Sequence, residues 1–254
     1  MTRRRHRRRA GAAHARSAAH PPPPQRLAAV DGLRGFALCL MVVYHFVFDL
    51  DWFHALHADF NHDAFWLSFR AIIVTLFVGL VGVSLVLAHR AHPGPRPFWR
   101  RIALIAGCAV LVSGASYVAF PRTFITFGIL HCIVVSSILA RPLVDSPRLA
   151  LLAGTAIIAM GNTLHLPLFD TPWLHWVGMM THKPATEDYE PLFPWLGVVL
   201  VGVAVGHWLL ARERVAIAAL GRATPVWLAW MGRHSLLIYL VHQPLLVGIV
   251  RVVV

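Results

Sequence analysis

Seven apolar runs dominate this chain, each close to the length of roughly 20 residues that crosses a bilayer as a helix. They cover about 29–50, 66–88, 102–120, 123–140, 148–165, 191–210 and 233–252. Backbone amides find no water in hydrocarbon, so each run is predicted to be helical. Charged residues make up 13% of the chain, too few to clothe a water-facing globule. The predicted fold is therefore all-α: a polytopic membrane bundle of about seven transmembrane helices occupying residues 27–254. Only Pro121 and Arg122 separate the third run from the fourth, which predicts a tight hairpin.

Residues 1–26 are of a different kind. They are Arg-rich, then Ala-rich, then a proline run, with no apolar periodicity, and they read as a disordered basic tail. The apolar run that follows carries Asp31, Arg34, His45 and Asp49 and ends in no small-residue cleavage site. It reads as a retained first helix rather than a signal peptide.

The positions of the basic residues predict the topology. With the N-terminus in the cytoplasm, the cytoplasmic segments hold eight Arg in 1–26, four in 89–101, two in 141–148 and four in 211–233. That makes 18, against three on the opposite side: Arg122, Lys183 and Arg251. The bias predicts N-terminus in, C-terminus out, and a multi-pass location in a bacterial inner membrane. It also accounts for the net charge of +12 without nucleic acid, so the expected partners are the lipid bilayer and small molecules. Cys39, Cys108 and Cys132 all fall inside apolar runs and read as small core residues.

The first helix carries the chemistry. Eleven steps of about 100° bring Arg34 and His45 within roughly 20° around the helix axis and about 16 Å apart along it. Asp49 follows His45 by one turn. Ionisable side chains in hydrocarbon cost several kcal/mol and usually face a cavity or the bundle interior. A carboxylate beside a histidine suits orientation of a basic imidazole, and an arginine at the cytoplasmic mouth suits a phosphate-bearing ligand. His131 in the fourth run, and Tyr239 with His242 in the last, are further polar residues within apolar runs. Arg70 opens the second helix on the outer side and calls for an acidic partner; Asp188 leads into the sixth run. His54, His57 and His62 lack the ligand spacing of a metal site, and no metal is expected.

Asp31-Gly-Leu-Arg-Gly-Phe-Ala-Leu, followed by Met-Val-Val-Tyr-His-Phe-Val-Phe-Asp-Leu50, resembles the opening of the bacterial heparan-alpha-glucosaminide N-acetyltransferase catalytic-domain family. So do Phe77-Val-Gly-Leu-Val-Gly-Val-Ser84, Phe127-Gly-Ile-Leu-His131 and Asp188-Tyr-Glu-Pro-Leu-Phe-Pro-Trp-Leu-Gly197, in the same order. Arg34 and His45, ten residues between them, are similar to the R-x10-H motif of the wider transmembrane acyltransferase superfamily. Ser235 to Pro244 is similar to that superfamily's closing helix. The resemblance implies acetyl-CoA as acyl donor, engaged by Arg34, and acyl transfer at His45, as base or transient carrier.

Together these readings predict an acyltransferase that moves an acetyl group from cytoplasmic acetyl-CoA to a glycan-like hydroxyl or amine. His45 and Asp49 would be catalytic and Arg34 would hold the donor. Arg70, His131, Tyr239, His242 and Asp188 would line a cavity between helices one, two, four and seven. The alternative is a small-molecule or proton-coupled transporter that uses the same stripe as a relay; the lack of an evident internal repeat argues against it.

Overall fold

The computed structural model describes residues 27–211 and 221–253; the basic tail 1–26, and with it the expected disorder, lies outside the described residues. Eight α-helices occur among the described residues. They are α1 (Ala28–Trp52), α2 (Ala64–Ala91), α3 (Pro95–Ala119), α4 (Ile129–Ala140), α5 (Pro147–Thr163), α6 (Leu192–Ala211), α7 (Val226–Arg233) and α8 (Ser235–Val253). Five of them, α1, α2, α3, α6 and α8, are long and apolar enough to cross a membrane. The protein is an all-helical, multi-pass membrane protein. Leu104, Val110, Leu111 and Val118 on α3, with Leu237, Leu245 and Ile249 on α8, stay exposed. An apolar surface of that extent belongs in lipid.

The other two expected spans are shorter than predicted. The run 123–140 does not fold as one helix, and the predicted tight turn is replaced by a longer non-helical connection, although α3 and α4 pack together. Residues 120–128 are non-helical, and α4 has only 12 residues, a rise of about 18 Å against the roughly 30 Å of the hydrocarbon. The reason is a competing partner. The extended stretch around Phe127 bridges to Tyr189, and Glu190 N–H donates to the Phe127 carbonyl. Thr186 Oγ1 donates to the Phe124 carbonyl. Backbone that hydropathy assigns to a helix is thus satisfied from outside. α5 has 17 residues and stops where Asn162 and Thr163 bond back to carbonyls in the preceding turn.

The last crossing, α8, lies where the sequence predicts it, and a further short helix, α7, precedes it. α7 and α8 together run from 226 to 253, interrupted at His234, and lie parallel to α1. Gly35 meets Leu228, Cys39 meets Met231, and Asp49 meets Gln243. α2 runs antiparallel to α1, since Arg34 near the start of α1 reaches Ser84 near the end of α2.

α6 is the centre of the other half and packs against α2, α4 and α5. Val78, Val86, Val199 and Val203 form its fully buried seam with α2. Two helices approach this closely in lipid only where side chains are small. Gly82 faces the Val199 carbonyl, and Gly202 faces the Gly79 carbonyl, each too near to admit a Cβ.

Candidate active site

The predicted stripe on α1 divides between two places. Arg34 lies in the first third of the helix. One guanidinium nitrogen donates to Asp31 Oδ1 at 2.9 Å, and the other donates to Ser84 Oγ at 2.6 Å. The Gly232 carbonyl lies 3.5 Å away, so Arg34 links α1, α2 and α7. Arg101 on α3 is within electrostatic reach of Arg34. Sequence reasoning counted Arg101 only as a topogenic charge; its nearness to Arg34 depends on the tertiary fold.

The second place is built from α1 and α8. His45 and His242 lie with ring centroids 5.0 Å apart. Asp49 is 3% exposed, and its Oδ1 accepts from Gln243 Nε2 at 2.7 Å. His242 Nδ1 lies 2.6 Å from the Tyr239 carbonyl, one turn back in the same helix. Four buried polar atoms here have no hydrogen-bond partner: His45 Nδ1, Asp49 Oδ2, His242 Nε2 and Gln243 Oε1. Each such atom costs about 1–3 kcal/mol if nothing pairs with it. All four lie at one contact between two helices.

This geometry changes one expectation. Asp49 does not hold His45. One carboxylate oxygen accepts from Gln243 on α8, while Asp49 Oδ2 and His45 Nδ1 have no partner. Gln243 was missed by sequence reasoning, since only the parallel packing of α8 on α1 brings it near Asp49.

His131 is elsewhere. Its Nδ1 accepts from Gly128 N–H at 3.3 Å, closing the start of α4, and Nε2 lies 3.4 Å from Ser113 Oγ. The fourth helix therefore does not line the α1–α8 cluster, as had been expected; it packs with α6 around a separate core. Tyr239 stands between, packed on both cores, with its ring 5.6 Å from that of His242.

Asp188 and Arg70 belong to a third group. Asp188 Oδ2 accepts from Ile129 N–H at 3.0 Å, so the short helix α4 carries a carboxylate at its positive end. Glu190, 6% exposed, shares the region with Asp188, Arg70 and Lys183. Burial first, and then the Asp188 charge, push the Glu190 carboxyl up to about 8. Burial also raises Asp188. A carboxyl raised in the folded state keeps its proton there while the unfolded chain loses it, so this stability is present at low pH and is lost as pH rises from about 4.5 to about 8. Glu190→Gln is expected to leave the melting temperature at pH 5 nearly unchanged and to raise it at pH 9 by about 2–8 °C. Tryptophan fluorescence melts in detergent check this; equal shifts at both pH values would refute it.

Among the described residues no three His, Cys, Asp or Glu side chains converge as a metal site. His62 pairs with Asp59 on the surface.

Residues 26–244 match the family model for the catalytic region of heparan-alpha-glucosaminide N-acetyltransferase. The chain belongs to this family. No curated protein and no solved structure gives a match. The matched span runs from before Arg34 to Pro244 and so contains the α1–α8 cluster, the Arg34 end and the Asp188–Glu190 loop. Membership in this heparan-alpha-glucosaminide N-acetyltransferase family makes the chain a membrane acetyltransferase by class, and hence a transferase.

Proposed function

We propose that this chain moves an acetyl group from acetyl-CoA to a hydroxyl or amine of a glycan-like acceptor, at the cluster of His45, Asp49, His242 and Gln243. The observation that carries this reading is the set of four buried, unpartnered polar atoms at the α1–α8 contact. A thioester carbonyl and an acceptor O–H or N–H would supply the missing partners. His45 presents its imidazole to the acyl group, and the Asp49 carboxylate opposes positive charge that develops in the cluster.

The donor lies with its phosphates at the Arg34 end. Asp31 neutralises one cation, and Arg101 leaves that end net positive. The helix rise puts His45 about 16 Å further along α1, so the pantetheine arm runs beside the helix. The positive-inside bias assigns the Arg34 end to the cytoplasm and the acceptor to the cell envelope outside. The parallel packing of α1 and α7–α8 lets both crossings start on one face.

The test uses purified protein in nanodiscs, acetyl-CoA labelled in the acetyl group, and amino-sugar acceptors. Label is expected to pass to the acceptor, and to water slowly when no acceptor is present. Arg101→Ala is expected to raise the KM for acetyl-CoA about 5- to 20-fold with kcat nearly unchanged, the loss of one charged phosphate contact. Wild-type protein that neither binds nor consumes acetyl-CoA would sink the acetyl-transfer reading. Solute uptake by proteoliposomes instead would point to a transporter.

A further inference from the structure

Acyl transfer from a thioester requires one proton to leave the acceptor and one to reach the departing thiolate. We infer that His242, on the last helix, is the group that carries this proton; the inference rests on the acetyl-transfer reading above.

A neutral imidazole carries one N–H and one lone pair. His242 Nδ1 lies 2.6 Å from the Tyr239 carbonyl, with the Ile238 carbonyl also in range. Carbonyl oxygens only accept, so Nδ1 holds the hydrogen and donates it. Nε2 is left with the lone pair, and it is buried without a partner. A backbone carbonyl fixing one ring nitrogen so that the other can accept a proton is how a general base is oriented.

His45 has no such orientation. Its Nδ1 is also unpartnered, and among the described residues no hydrogen bond to a carboxylate or carbonyl fixes its ring, which packs against the rings of Tyr44 and His242. The two histidines are therefore not equivalent. His242 is set as proton acceptor, and His45 is free to turn toward the acyl group. Asp49 Oδ2 and Gln243 Oε1 lie in the same cluster and can accept from the acceptor molecule's other hydroxyls.

The step balances as follows. The acceptor oxygen or nitrogen forms a bond to the thioester carbonyl carbon, and His242 Nε2 takes its proton. The C–S bond breaks, the electron pair leaves with sulfur, and the thiolate takes the proton from Nε2–H. His242 returns to its starting tautomer, with acetylated acceptor and CoA thiol as the products.

His242→Ala and His242→Gln test this in nanodiscs. Both are expected to lower kcat for acetyl transfer at least 100-fold, with the KM for acetyl-CoA within about threefold of wild type. The acidic limb of the wild-type pH–rate profile should flatten, and added imidazole should restore part of the His242→Ala rate. The double variant with His45→Ala should lose little more than the worse single variant, since the two act in one step. A His242→Gln protein that binds acetyl-CoA and keeps more than a tenth of wild-type kcat would overturn the proposal. So would a rate loss with an unchanged pH profile and no imidazole rescue. A readout independent of activity is the 15N spectrum of the His242 ring in lipid. It should show Nδ1 protonated and Nε2 bare near neutral pH, and the opposite tautomer would overturn the assignment even if acetyl transfer is confirmed. Absence of any acetyl transfer by wild type would instead remove the reading beneath it.

Discussion

His45→Ala is expected to lower acetyl transfer by about 10²-fold, the cost of losing a group that positions the acyl carbonyl, while the protein stays folded and membrane-embedded. The fold should survive because His45 contributes no hydrogen bond that the bundle depends on. Its buried Nδ1 has no partner, and its ring packs at an angle to those of Tyr44 and His242. Truncation removes a few ring contacts and one unpaired polar atom, and the two effects partly offset each other. The melting temperature should therefore move by only a few degrees. Phe46, the next residue, is 39% exposed on the other side of α1, and Phe46→Ala should leave both stability and transfer close to wild type. Measured side by side with labelled acetyl-CoA, the pair separates loss of chemistry from loss of helix. Full transfer by His45→Ala would remove His45 from the reaction, though membership of the family would stand.

Much of this site was legible in the sequence, and the illegible part has an identifiable cause. The helical period alone placed Arg34, His45 and Asp49 on one side of α1, and Tyr239 with His242 on one side of α8. Hydropathy found α1, α2, α3 and α6 to within a few residues at most ends. Pairing across helices was beyond it. Gln243 reads as one polar residue beside a proline until α8 lies on α1 and its amide meets Asp49. Arg101 reads as a topogenic charge until α3 brings it near Arg34. The run 123–140 misled because a hydropathy window counts side chains, whereas the structure of residues 123–128 depends on backbone partners about 60 residues away at 186–190. The last crossing was found within two residues at either end, but the short helix before it was not. Pro225 and Arg233 flank and punctuate α7, so Val226–Arg233 reads as loop although Gly232 packs against Asp31 of α1.

Gly202→Val is expected to have the largest effect on the amount of folded protein. Without a hydrophobic drive between helices in lipid, the α2–α6 seam depends on close backbone approach and dispersion. Gly202 faces the Gly79 carbonyl, and Gly82 faces the Val199 carbonyl, so the two helices clasp reciprocally. A branched side chain at Gly202 must strike backbone, which cannot turn aside as a flexible side chain would. The helices must part, and the buried seam of Val78, Val86, Val199 and Val203 opens with them. Overpacking of this kind costs about 1–3 kcal/mol even where a core adjusts, and here rigid backbone meets on both sides. The expected outcome is loss of the monodisperse peak on size exclusion in mild detergent, with Gly82→Val behaving alike. Gly107→Val and Gly114→Val on α3 are the controls, because a Cβ at either position meets nothing within 4 Å. Both should elute and melt like wild type. Equal loss in all four variants would mean that valine is poorly tolerated in these helices generally. Normal elution of Gly202→Val would mean that the α2–α6 contact does not hold the bundle together.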